Sequence, residues 1–317
     1  MPETTITPSS PQRADKNSNE SSEAPKPQTQ ILAFVNQKGG TGKTTIALNL
    51  AACLAAQHEQ RVLCIDLDPQ GNLTHGLTGQ TGGFVKYADR LLLVPAPKIS
   101  EYIMQTQAGV DLVPNQFHGE LHDNIERLPL RANLLRNIIT EVRSRYDFVV
   151  IDSPAGLCRA TQIGVDAADQ VMIVVSCGSY ALKGAQNLVA WVGEINRTLN
   201  KPAPKVRVVL NNYDGRRRFD REIKQEAETI FGEGVYQTHI SASVRIAEAA
   251  ARSTPVIQHA PISSSAVDFH HLSCEVMGLP LSIAAKVMLS AGNKSEPAPE
   301  KEPETTAAEP VRLRLVV

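Results

Sequence analysis

Short aliphatic runs alternate with longer stretches of helical periodicity along most of the chain. The runs are ILAFVN (31–36), RVLCIDLD (61–68), VDLVPN (110–115), FVVIDS (148–153), QVMIVVS (170–176) and VRVVLNN (206–212). Most are continuously apolar rather than alternating, the pattern of strands covered on both faces. Helical patterns lie between them, at TTIALNLAACLAAQ (44–57), LRANLLRNIITEVRS (130–144) and LKGAQNLVAWVGEINRTL (182–199). Strand and helix in repeated alternation predict an α/β domain with a mostly parallel sheet and helices on both faces. The pattern fails at both ends. Residues 1–29 are polar, and 286–317 are rich in Pro and Glu, so both are expected to be disordered tails around one domain at 30–285. The last seven residues, VRLRLVV, alternate charge with aliphatics and are read as a docking strand, a membrane-touching segment or a tail end without function.

Composition narrows the function classes. The formal net charge of −1 over 317 residues excludes a globally basic nucleic-acid binder, so any contact with DNA needs a local patch. With only 4% aromatic residues, the core must rest on Ala, Val, Ile and Leu. Five cysteines without a CxxC pair give no disulfide framework or metal-ligand spacing. No apolar run reaches the roughly 20 residues of a membrane span, and the N-terminus lacks a signal-peptide core, so a cytoplasmic location is expected.

Candidate chemistry begins where the first strand ends. KGGTGKTT (38–45) lies between that strand and a helix, the context a phosphate-binding loop requires. Glycines 39, 40 and 42 let backbone N–H groups turn inward, as do those of Thr41 and Thr45. Lys43 supplies a point charge to the β- and γ-phosphates, the Thr44 hydroxyl can ligate Mg²⁺, and the helix N-terminus adds partial positive charge. Carboxylates follow two other apolar runs: Asp66 and Asp68 after the second, Asp152 after the fourth. A carboxylate behind four buried aliphatics is costly unless something cationic meets it, and Mg·ATP chemistry needs such groups beside the loop.

One position departs from the general pattern. The first glycine of G-x-x-x-x-G-K-[ST] is replaced by Gln37, and Lys38 opens the loop. In this the segment resembles the deviant Walker A motif of the ParA/MinD family of P-loop ATPases. DLDPQGN (66–72) and FVVIDSP (148–154) resemble the family's Walker A′ and Walker B motifs. The resemblance implies that Lys38 reaches a partner subunit's nucleotide in an ATP-dependent homodimer, that Asp68 orients the attacking water, and that Asp66 and Asp152 support Mg²⁺. It also implies slow hydrolysis without an activator. Asn211, ending the strand at 206–212, is a candidate adenine partner.

Further along, NNYDGRRRFDREIKQ (211–225) and ISASVRIAEAAARS (240–253) are similar to the corresponding stretches of Soj/ParA-type partition ATPases. On that similarity Arg216, Arg217 and Arg245 are candidates for contact with DNA backbone, and a ParB-like protein is the expected activator. Sequence-independent phosphate contact asks for little more than such a cluster. The family often has Pro where this chain has Ile240 and Ser241, and an acid where it has Lys183. The leading expectation is a nucleoid-associated ATPase that positions plasmid or chromosome cargo on nonspecific DNA. The alternative is a MinD-like regulator cycling on a membrane, which would need an amphipathic C-terminus. A nitrogenase-type reductase would need paired cysteines, and only Cys158 lies near a suitable strand end.

Overall fold

The computed structural model describes residues 29–178 and 180–281. The expected tails therefore lie outside the described residues, VRLRLVV included. Thr29, assigned above to the N-terminal tail, is instead buried, its hydroxyl donating to the carbonyls of Arg143 (2.7 Å) and Tyr146 (2.9 Å).

Among the described residues seven strands form one sheet: β1 (Gln30–Val35), β2 (Val62–Asp66), β3 (Met104–Gln105), β4 (Asp111–Val113), β5 (Phe148–Asp152), β6 (Gln170–Ser176) and β7 (Lys205–Asn211). Their order across the sheet is β3-β4-β2-β5-β1-β6-β7, parallel throughout except for the short edge strand β3. The six expected strands are present. β3 was missed because two residues give no periodicity to read.

Eleven α-helices connect them among the described residues: α1 (Lys43–His58), α2 (Asn72–Thr78), α3 (Ala88–Leu93), α4 (Gly119–Glu126), α5 (Leu134–Thr140), α6 (Arg159–Ala167), α7 (Ala181–Thr198), α8 (Arg218–Phe231), α9 (Val244–Ala251), α10 (Val256–His259) and α11 (Ser264–Val276). The continuously apolar strands are explained by the two faces they feed. Ile31, Ala33 and Val35 of β1 join the core under α3 to α8, whereas Leu32 and Phe34 join the core under α1, α2 and α9 to α11. β2, β5 and β6 divide in the same way. The helix expected at 130–144 is shorter, because Asn133 takes a left-handed conformation (φ 63°) and starts α5 there, while a separate 3₁₀ turn occupies Arg143–Arg145.

Register brings the chemistry to one end. Asp152 pairs with Phe34 on one side and with Asp66 on the other, so the last turn of β1 and both carboxylates share the C-terminal rim of the parallel strands. That rim is where ligands bind in open parallel α/β sheets.

Candidate nucleotide site

The phosphate loop runs from the end of β1 into α1. Asn36 anchors its start: the side-chain amide donates to the carbonyl of Val174 on β6, and its Oδ1 accepts the backbone N–H of Lys38 (2.9 Å). Gly40 (φ 73°) and Gly42 (φ 89°) hold conformations that side chains resist, and Gly42 caps α1. A methyl group on Gly42 would come within 2.1 Å of the Asn211 amide nitrogen. Asn211, at the end of β7, donates to the carbonyl of Thr41 (2.8 Å). The structure thus gives this residue a loop-supporting contact.

A cavity of about 450 Å³ opens on the loop, lined by its glycines, Lys43, Thr44, Thr45 and Asp68, with Ile246, Ala249 and Ala250 of α9. The size suits a small-molecule ligand. Lys43 is buried, and its charge helps hold down the pKa of Asp152. The Thr44 hydroxyl donates to Asp152 Oδ2 (2.6 Å), while Asp152 Oδ1 is buried with no hydrogen-bond partner among the described residues. Burial, aided by the charge of Asp68, pushes the Asp152 carboxyl up to about 7. The Thr41 hydroxyl is likewise buried without a partner. These orphaned atoms, beside the glycine loop that lines the cavity, fit a phosphate chain with Mg²⁺ that Thr44 and Asp152 would hold.

Asp66 and Asp68 have different surroundings. Asp68 lines the cavity, with Oδ1 accepting the backbone N–H of Gln70 (2.9 Å). Asp66 is fully buried, and its oxygens are engaged inside the protein. Oδ1 accepts the N–H of Asp68 (3.1 Å), and Oδ2 accepts both the N–H (2.9 Å) and hydroxyl (2.8 Å) of Thr74. Burial and the charge of Asp152 raise its pKa well above the ordinary range. These contacts make Asp66 the anchor of the turn that carries Asp68. Thr74 in turn accepts from the N–H of Asn115 (2.8 Å), whose side chain donates to buried Asp89 (3.1 Å). Sequence reasoning missed Thr74 and Asn115, because a threonine eight residues from its carboxylate carries no local signal.

Asn49 was missed too. It bridges Thr45 O (2.8 Å) and the N–H of Val256 (2.7 Å), tying the first turns of α1 to the connection after α9. Lys38 is exposed on the outer side of the loop, where a second cavity of about 260 Å³ runs from it to Gly178, Tyr180 and Gly184. Lys183 is exposed on α7. Cys158 is half-buried beside the Thr161 hydroxyl (3.2 Å), and burial raises its thiol pKa.

Backbone pairing brings the two arginine-bearing segments together. Tyr213 donates to the carbonyl of Ile240 (3.0 Å) and accepts from Ala242 (3.0 Å), so the turn after β7 and the start of α9 leave the same rim side by side. Ser243 caps α9 by accepting the N–H of Arg245 (3.2 Å). The patch is less positive than its sequence suggested. Arg216, with a side chain 92% exposed, forks onto Asp214 (2.9 and 3.0 Å), which also meets Arg217 at 3.6 Å, and Arg245 pairs with Glu248 at 2.7 Å. Arg216 holds the Asp214 carboxyl down to about 2.

A family model described as an AAA domain matches residues 29–203. The sporulation initiation inhibitor protein Soj of Bacillus subtilis is 34% identical over 251 residues, covering 78% of this chain and 98% of that protein. The chromosome-partitioning ATPase Soj of Thermus thermophilus is 35% identical over 246 residues, with 78% and 94% covered. The chain belongs to the ParA/MinD family. Among solved structures, the family's septum site-determining protein MinD of Pyrococcus horikoshii, complexed with Mg-ADP, superposes with a TM-score of 0.64 at 25% identity, covering 78% of this chain and 96% of that one. As a ParA/MinD-family member the chain is an ATPase that uses ATP with Mg²⁺, which the loop and its carboxylates fit. No helix among the described residues is long and apolar enough to cross a membrane.

Proposed function

We propose that this ATPase dimerises on ATP, binds nonspecific DNA as the dimer, and positions plasmid or chromosome cargo until a ParB-like partner stimulates hydrolysis. The loop N–H groups and Lys43 bind the phosphates, and Thr44 with Asp152 holds Mg²⁺, which when bound neutralises charge on the β- and γ-phosphate oxygens. Asp68 accepts and orients the attacking water from the position that Asp66 fixes. Lys38 is exposed and lines, with Tyr180, a cavity other than the nucleotide cleft, and this supports a reach toward a partner subunit's nucleotide.

One observation carries the DNA reading: α9 serves both surfaces. Ile246, Ala249 and Ala250 line the nucleotide cavity, while Arg245 lies at the exposed start of the same two-turn helix. A ligand that presses on one face of so short an element moves the other, so DNA contact can follow the nucleotide state. Dimerisation then doubles the phosphate contacts, and affinity rises steeply with their number. The acidic partners Asp214 and Glu248 weaken the patch in the monomer and leave the paired patches to decide binding.

The test is Arg245→Glu. It should retain ATP binding and ATP-dependent dimerisation but lose DNA retardation, while the wild type's retardation should collapse as salt rises. Retardation equal to wild type would overturn the placement of the patch.

A further inference from the structure

A second cluster of metal-ligating side chains lies far from the nucleotide. It forms where the C-terminal end of α1 meets α11. His270 and Cys274 are four residues apart on α11 and so project from one helical face. His58, the last residue of α1, meets them from the facing helix. One ligand atom from each of the three lies within 4.8 Å of the others. Cys274 Sγ is 3.9 Å from His58 Nε2 and 3.9 Å from His270 Nε2. The two imidazoles are nearly parallel (10°) with centroids 5.1 Å apart. His270 and Cys274 are fully buried and His58 half-buried, and burial favours its neutral, ligand-competent imidazole.

We propose that His58, His270 and Cys274 form a zinc-binding site that clamps α11 to α1. The donor set is right for a borderline-soft ion: two imidazoles and a thiolate, with no carboxylate among the three. Zinc bonds of about 2.3 Å to sulfur and about 2.0 Å to nitrogen set tetrahedral S and N ligands about 3.5 Å apart. The two S–N separations close on this by a few tenths of an ångström, and one imidazole turns out of the stack so that both ring planes meet at the ion. The half-exposed edge of His58 admits the ion and a water for the fourth position. On binding, the Cys274 thiol releases its proton to solvent, and the hydrogen bond between His58 Nε2 and Ser273 Oγ (2.9 Å) is exchanged for a coordinate bond. The site is fifteen residues along α1 from Lys43, about 22 Å at 1.5 Å per residue, and is therefore independent of the Mg²⁺ position. A clamp there ties α11 to the helix that begins with Lys43 and Thr44.

The experiment uses the full chain, chelator-treated and nucleotide-free, with Co²⁺ as spectroscopic probe and Zn²⁺ in competition with a chromophoric chelator. One equivalent of Co²⁺ should bind with a thiolate-to-cobalt charge-transfer band that Zn²⁺ abolishes, and Zn²⁺ but not Mg²⁺ should raise Tm. The band should vanish in Cys274→Ser and persist in Asp152→Asn and in Cys158→Ser. His58→Gln, altering the half-exposed ligand, should weaken Zn²⁺ at least about tenfold, since even groups that only support a ligand are worth that much. Absence of a charge-transfer band in the folded wild type would overturn the proposal. So would a band that survives in Cys274→Ser, or Zn²⁺ affinity unchanged in His58→Gln.

Discussion

Replacing Asp152 by Asn should stabilise the nucleotide-free protein while abolishing its hydrolysis. The carboxyl is wholly buried, one oxygen bound to Thr44 and the other without a partner among the described residues. Its pKa rises from 3.8 to about 7, chiefly through burial. Between pH 4 and 7 the folded chain keeps a proton that the unfolded chain has lost, so folding stability falls as pH rises through this window. At pH 8 the deficit reaches a ceiling of about 4 kcal/mol. An amide carries no charge at any pH, can still accept from Thr44, and exchanges one unpartnered oxygen for one unpartnered NH₂. With allowance for structural relaxation around the amide, about 2 kcal/mol should appear at pH 8 and little at pH 4.5, a Tm difference of about 4–8 °C at the higher pH. Thermal or urea melts of both proteins in chelator without nucleotide, taken across this range, measure the gap. A gap that does not widen with pH, or a variant less stable than wild type at pH 8, would refute the reasoning.

Other substitutions separate the parts of the site. Gly42→Ala must adopt φ 89° and displace Asn211 from Thr41, so ATP affinity should fall sharply with about 1–3 kcal/mol of stability, read by nucleotide titration and urea melts. Thr74→Val keeps its volume but removes the hydroxyl shared by Asp66 and Asn115; a loss of about 1–3 kcal/mol is expected, with turnover reduced more than ATP binding. Asp68→Ala should trap an ATP-bound dimer on DNA, and undiminished turnover would count against its role. Lys38→Ala should keep ATP binding and lose the ATP dimer in size-exclusion chromatography; a normal dimer would exclude the reach across the interface.

Much of the chemistry was local in sequence and therefore legible. A phosphate loop is a run of consecutive backbone positions, and KGGTGKTT names its glycines, lysine and threonine in order. Strands buried on both faces need apolar residues at every position, so β1, β2, β5 and β6 declared themselves without an alignment. Asp66 and Asp152 could be picked out because each ends such a strand, and Asp68 because it follows two residues later. The connections between distant segments could not be read in this way. That Asp66 anchors its turn through Thr74, that Asn211 supports the loop, and that Asn49 ties α1 to the segment after α9 depend on contacts over eight to more than two hundred residues. Nor could the arginine cluster's charge be judged before Asp214 and Glu248 were seen to meet it.

The cysteines show the same division. Their spacing ruled out a local metal motif, since ligands close in sequence would have shown as one. The cluster of His58, His270 and Cys274 was invisible because two of its three members are separated by more than two hundred residues and meet only when α11 docks on α1. The sequence by itself determined the sheet, the phosphate loop and the carboxylates, because hydrophobic period and backbone turning are properties of neighbouring residues. Tertiary structure alone decided which of those carboxylates faces the cavity, which is engaged within the protein, and that the helix bearing Arg245 also lines that cavity. Those outcomes depend on burial and register between strands, which no single segment encodes.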